Sequence, residues 1–592
     1  MRRRSIVLYC LCVATSILLL SACNNQPAPN NTGGTAAPMG YSSVHLPQDV
    51  LPTCTISPDS FNAWFAGRKA TENGAVTPAN SVTFQHNDNC DFYQWAERMF
   101  LWMTSPASGT YGSGGTVLES SLFYTVIVDS AGGRHLMPHL PGQPLSAVGS
   151  IQKNGPNRLP VFRDKTGRLF EVQFHKPGEK VMVKNSAGQI IELGAIQKST
   201  SGPTLLMDKG GKAIAKPAFV TNFVNPDRVL HAFSTATGTV FFDNNGNEVD
   251  TGLGQATNQA LMTTSGSLVY YITMVNDMYA YFLTGVKNKK LSGRQFPTTA
   301  GARDSIVAYA RSLGYDVPSD ANTLAIEIKS SWVPVDSLIN AANYVTIDAS
   351  VPTYDTSNPK KWVPNGQKVI KLALVGIHIV GSVSGHPEMI WATFEHNTNS
   401  PDSAYQYLDR NGHVQTVPSD TGNFMFSTAA GGPFNQSHIS VSKEGNILTP
   451  DSPFTSISPS NTQRVYPFGV AYGVVPNQQD TSSSASNSEI IGINDTIINQ
   501  IPGADRRKSY FLVGATWTFG GVAPTGKVYP LDNASGASIG TSNLANSTME
   551  TYFQAADASC LFCHSRHINS SLDPDVLSHI FKDIKPLLPA SK

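Results

Sequence analysis

The sequence predicts a predominantly β protein, a β-rich α+β body that ends in a short α-helical segment. Three observations predict it. Gly (49) and Pro (38) are plentiful in the 592 residues, while charged side chains make up only 14%, against about a quarter in an average soluble domain. A turn signal recurs, with alternating segments meeting at Asp- or Asn-led turns that close on Gly. Stretches with helical spacing are few. The 42 basic and 42 acidic residues balance, which excludes the basic surface of a nucleic-acid binder. A hydrophobic fraction of 40% excludes a chain too polar to bury a core, and the length allows a large one.

The N-terminus reads as an export signal over residues 1–22. Arg2, Arg3 and Arg4 give the positive start, and residues 6–20 are apolar but short for a membrane span. The stretch ends in Leu20-Ser21-Ala22-Cys23, which resembles a bacterial lipobox. That resemblance implies cleavage before Cys23 and a lipid on its sulfur. Residues 23–50 are expected to tether the lipid to the body, with Asn, Pro, Gly, Thr and Ala concentrated over 24–40. Asn24 is not the Asp that resembles an inner-membrane retention signal. The expected address is therefore the outer membrane, facing the periplasm, with the cell surface as the alternative.

Export places the remaining chain in an oxidising compartment, where Cys54 and Cys90 are expected to form a disulfide. The body is expected over 51–540. Residues 92–103 put Phe92, Trp95, Met99 and Phe100 on one helical face, and 274–286 and 300–313 are further helical candidates. The apolar stretch 268–283 is interrupted by Asn276 and Asp277, so it is not read as a membrane span. Hairpin turns are expected at 129–132, 164–167, 185–188, 208–211, 243–246 and 409–412, where Gly takes the left-handed position. The turn at 243–246 lacks the glycine position of a calcium loop. Flanking segments alternate as strands, for example 169–174 and 239–242.

The chemistry lies in the C-terminal segment, 541–592. Cys560-Leu561-Phe562-Cys563-His564 is the C-x-x-C-H pattern of covalent c-type haem attachment. Two thiols add to the haem vinyl groups, and the histidine that follows becomes the proximal iron ligand. A zinc site would need a second cysteine pair. The expected cofactor is one haem c, held by Cys560, Cys563 and His564. Helices are expected over 544–556 and 576–588, bracketing the motif like a trimmed cytochrome c fold. Only 28 residues follow His564, short for a free-standing haem domain, so the haem is expected to pack against the body.

Four segments give the chain a wider resemblance: 325–332, 374–380 with 389–396, 510–517, and the run from Leu544 to the haem motif. Together they resemble large exported bacterial proteins of the cytochrome c family. The resemblance implies haem and export, names no substrate, and carries over only Cys560, Cys563 and His564.

A sixth iron ligand has several candidates among the fourteen histidines. His579 lies on the expected C-terminal helix. His378 sits on an expected buried strand, with His386 and His396 close behind and Glu395 beside His396. Met549, Met389 and Met425 are thioether candidates, though such methionines usually pack cores. His567 is too near His564 to reach the opposite haem face. His135 and His139 read as loop histidines, and Glu327 with Lys329 as an exposed ion pair or solvated edge.

The leading expectation is a lipid-anchored monohaem cytochrome passing electrons to a redox partner protein in the envelope, with no nucleic-acid partner. One alternative is a haem oxidoreductase, peroxidase- or oxygenase-like, with an open distal site, which the size of the body favours. Another is a partner-binding β module with haem as relay.

Overall fold

The computed structural model describes residues 41–590 except 108–114, 129–133, 141, 148–156, 158, 160, 164–168, 176–177, 198–203, 236–237, 250–253, 256–258, 318–319, 429–431, 443–445, 452, 470–480, 528–534, 555–559 and 566–570. The export signal, Cys23, the turns at 129–132 and 164–167, and His567 lie outside the described residues. Of the stretch read as tether, 41–50 is described, and it packs onto the body. Val44 and Val50 are buried, and the Val44 amide donates to Asn397 O at 3.0 Å.

The chain is predominantly β, as its sequence predicts. A ten-stranded sheet forms the frame, from β1 (Phe123–Val128), β2 (Arg134–Pro138), β3 (Leu145–Ser146), β4 (Tyr270–Asn276), β5 (Ile326–Pro334), β6 (Thr346–Asp355), β7 (Val363–Val383), β8 (His386–His396), β9 (Tyr510–Thr518) and β10 (Ser538–Gly540). Its order is β2-β1-β4-β5-β7-β8-β9-β10, with β6 pairing β7 and β3 pairing β6. All these pairings are antiparallel except β3 with β6. β7 is 21 residues long and pairs with β6 over its first half and with β5 and β8 over its second. Between β3 and β4 the chain builds a five-stranded and a four-stranded sheet with small cores of their own.

One face of the large sheet carries the main core. Ile328, Ile379, Ala392 and Ala515 point there and meet α2 (Asn89–Met103) and α5 (Thr481–Gln500). The disulfide between Cys54 and Cys90 ties the start of α2 to the loop before α1 (Pro58–Trp64). α2 forms where its apolar face predicts, with Asp88 capping its first turn through the Cys90 amide.

α4 (Ala300–Ser312) also forms as expected. The helix expected at 274–286 starts later, because Met274 and Val275 complete β4 and Asn276 caps α3 (Asp277–Lys287) through the Tyr279 amide. The turns at 185–188, 208–211, 243–246 and 409–412 close as predicted, and Gly188, Gly211, Gly246 and Gly412 have φ between 72° and 81°.

Two expected helices do not form. Residues 544–554 run as turns, because their polar side chains bond locally and to the sheet in place of a helical ladder. The Thr548 amide donates to Asn546 Oδ1 at 3.0 Å, and the Ser547 amide to Glu395 Oε1 at 2.7 Å. The helix expected over 576–588 shrinks to α7 (Pro574–Leu577), capped by Asp573. Beyond it, the Lys585 amide donates to Arg134 O at 2.9 Å, drawing the chain to the sheet edge. The apolar spacing there was sound, since Leu577, Phe581 and Ile584 are all buried, but turns bury them. Among the described residues no helix is long and apolar enough to cross a membrane.

Candidate functional site

The C-x-x-C-H motif seats Leu561 on the face of the sheet opposite the main core, while Cys560 also packs against that core. Strand pairing fixes what lies beneath it. Tyr124, Val275, Glu327, Val380, Trp391 and Thr516 are cross-strand partners in one row, so their side chains share a face. Tyr124, Val275, Val380 and Trp391 join α3, α4 and the C-terminal segment in one apolar cluster, and Leu561, Leu577, Phe581 and Ile584 are its C-terminal members. Leu561, between the two cysteines, is fully buried. It plugs the single helical turn α6 (Cys560–Cys563) into the sheet.

His564 follows that turn, and its amide donates to Cys560 O at 3.1 Å. Its Nδ1 lies 2.6 Å from Leu577 O. A carbonyl oxygen only accepts, so Nδ1 carries the proton and the neutral ring keeps its lone pair on Nε2. This is the tautomer and the outer bond that a metal-ligating histidine uses. Trp391 flanks the ring at 4.2 Å between centroids. Cys54 and Cys90 form the disulfide, and among the described residues Cys560 and Cys563 enter none; they stand one helical turn apart. The residues present therefore fit covalent haem attachment.

The sixth-ligand candidates are dispersed. His579 stacks on His564 with centroids 4.0 Å apart and planes within 11°, and its Nε2 donates to Cys563 O at 3.0 Å. In this placement His579 buttresses the His564 ring and points its Nε2 at Cys563 O. His396 is buried at the far end of β8, stacked on Tyr344 at 3.8 Å. Both its nitrogens are engaged, with Thr398 Oγ1 and Asn343 O, and burial lowers its pKa to about 3. Met549 and Met425 belong to a second apolar cluster with Tyr271 and Tyr552. Met389 packs in the same cluster as Leu561 and Trp391, at φ 71° on a strand.

Of the three histidines on β7 and β8, His378 lies nearest to Trp391 in register. It pairs with Thr393 and Lys329, one step along the sheet face from Val380 and Trp391, a spacing of about 7 Å. Its Nδ1 meets Thr393 Oγ1 at 2.9 Å and its Nε2 meets Glu550 Oε1 at 3.1 Å. Lys329, His378 and Glu550 form a half-buried polar band between the two apolar clusters on this face.

Three expectations are corrected. Glu327 and Lys329 are on no solvated edge, because β5 is an interior strand. Glu327 accepts from Ser578 Oγ at 2.6 Å and from Tyr279 Oη at 3.4 Å, and burial raises its pKa. His139 does lie outside the strands, yet it is no exposed loop histidine. It is buried after β2, bonded to Leu118 O and Thr125 Oγ1, both at 2.7 Å, and burial lowers its pKa to about 4. His135 lies within β2, and Lys585 Nζ meets its Nε2 at 3.2 Å. His378, His386 and His396 do not cluster. His386 starts β8 and His396 ends it, about 33 Å apart by strand rise.

The sequence did not reveal the anchor that seats the segment. Glu395 is fully buried and receives the Ser547 amide, Ser547 Oγ, Asn399 Nδ2 and Arg464 Nη1. Arg464 also bonds Asp402 at 2.5 Å and Ser400 O at 2.7 Å. This network joins residues 395–402, 464 and 547, and so holds the chain just before the motif on β8. No family model matches the chain, and neither a curated protein nor a solved structure matches it.

Proposed function

We propose that this chain is a monohaem c-type cytochrome of the cell envelope, exported, lipid-anchored through Cys23 and transferring electrons to a redox partner protein. The observation that carries the reading is Cys560-Leu561-Phe562-Cys563-His564 on one helical turn, with the His564 Nδ1 proton committed to Leu577 O. The haem would supply one-electron chemistry between two iron states. The chain's own residues do the rest. Leu577 O orients the proximal imidazole and raises its basicity. Trp391 and His579 pack against its ring. Leu561 holds both thiols at the sheet, and Glu395 fixes the approach of the chain.

A second reading, an oxidoreductase with an open distal site, draws on the half-buried band of Lys329, His378 and Glu550 beside Trp391. Absorption spectra separate the two. A six-coordinate low-spin form unaltered by carbon monoxide or cyanide supports the carrier. A high-spin ferric form that binds them supports the oxidoreductase. Cys563→Ser should remove one thioether and weaken covalent haem retention under both readings; haem held as firmly as in the unaltered protein contradicts both.

A further inference from the structure

We infer that His86 and His386 form a binding site for a transition-metal ion of the copper, nickel and zinc class. The two residues are 300 apart in sequence, and folding brings their Nε2 atoms to 3.0 Å. Two nitrogens each bound at about 2.0–2.1 Å to one ion, at angles between square and tetrahedral, stand roughly 2.9–3.4 Å apart. The pair therefore accepts an ion with little movement.

The surroundings favour ligation. His386 is buried, and its Nδ1 lies 2.8 Å from Glu388 Oε1. With that proton on Nδ1, its Nε2 lone pair accepts the hydrogen bond from His86 Nε2, and an ion takes the place of the shared proton when His86 shifts to its Nδ1-protonated tautomer. A carboxylate behind a histidine is the outer-shell support that metal-bound imidazoles carry. Glu388 is itself fully buried, and its Oε2 has no hydrogen-bond partner among the described residues. The Glu388 carboxylate behind His386 places negative charge beside a cation held between the rings.

Access and rigidity are also provided. His86 is exposed, leaving solvent to fill the remaining coordination positions. Phe92 holds both rings, 4.8 Å from His86 and 4.9 Å from His386, and stacks on Trp517 at 3.8 Å. Among the described residues no group of three or more His, Cys, Asp or Glu could hold a metal ion, so this is a two-imidazole site completed by water. Imidazole pairs suit copper, nickel and zinc rather than magnesium or calcium. The site shares no residue with the haem motif, so it stands or falls separately from the function proposed above.

The test is titration of the full-length protein with Cu2+ and with Zn2+, followed by calorimetry, with electron paramagnetic resonance on the copper form. One saturating ion per chain is expected, with a copper signal showing two nitrogen ligands. His86→Ala removes an exposed ring, so the fold should hold, and it should weaken binding at least tenfold and remove the two-nitrogen signal. His135→Ala should leave binding unchanged. Unaltered binding in His86→Ala, loss of binding in His135→Ala, or no saturable binding to the unaltered protein would each overturn the proposal.

Discussion

Leu561→Ala tests whether the segment that carries the C-x-x-C-H motif is held to the sheet by the side chain between its cysteines. Leu561 is fully buried and packs in the cluster of Trp391, Leu577, Phe581 and Ile584. Removing such a side chain costs its transfer free energy and leaves a cavity, together about 3 kcal/mol. The segment spans only α6, α7 and the turns after it, so the loss falls mainly on its local opening rather than on global unfolding. Each 1.4 kcal/mol is tenfold, so the amides protected by segment contacts should exchange about 100-fold faster. Those amides are His564 to Cys560 O, Leu577 to Asp573 O and Ile584 to Ile580 O. Amides paired between β7 and β8 should keep their protection. Hydrogen exchange read by mass spectrometry resolves both regions. Unchanged exchange at the three segment amides would refute the claim that Leu561 seats the motif.

Two further outcomes follow from the main core. Glu97 is buried on α2, and burial raises its carboxyl to about 8. The folded state then holds a proton that the unfolded chain releases near 4.5, so the stability linked to Glu97 is present below that pH and is lost as pH rises through about 8. Glu97→Gln should remove that slope, gaining roughly a few kcal/mol at pH 9 relative to pH 5; parallel pH profiles of the unfolding midpoint for both proteins would contradict this. Cys54 and Cys90 close a loop with a sequence separation of 36, so replacing both with Ser should cost about 3–4 kcal/mol. Thermal unfolding checks it, and a midpoint equal to that of the oxidised parent would count against it.

The parts of this molecule legible in the sequence are those decided locally. Four Asp- or Asn-led turns closed on Gly because a left-handed residue is needed where each hairpin reverses. The C-x-x-C-H motif was visible because its residues are contiguous. α2 was visible because Phe92, Trp95, Met99 and Phe100 share a face that the sheet covers. What failed depends on distant partners. Residues 544–554 have helical spacing, yet Glu395 and local Asn546 bonds capture their amides. α5 runs against propensity, rich in Ser, Thr and Asn. It holds because Ile490, Ile491, Ile493 and Ile497 are buried against the main core. Glu327 looked solvent-facing because alternation gives a side chain's face and not what covers that face; α3 and Ser578 cover it. The approach of His86 to His386, 300 residues apart, has no local signal at all.

The central claim is that Cys560, Cys563 and His564 hold one haem covalently. The most direct measurement is the intact mass of the exported protein together with its haem absorption after extraction with acidified organic solvent. The account predicts a polypeptide heavier by one haem than the equally processed Cys560→Ser, Cys563→Ser double variant, with the absorption staying on the protein and lost in that variant. Masses that differ by the two substitutions alone, or haem that passes wholly into the solvent, would contradict it.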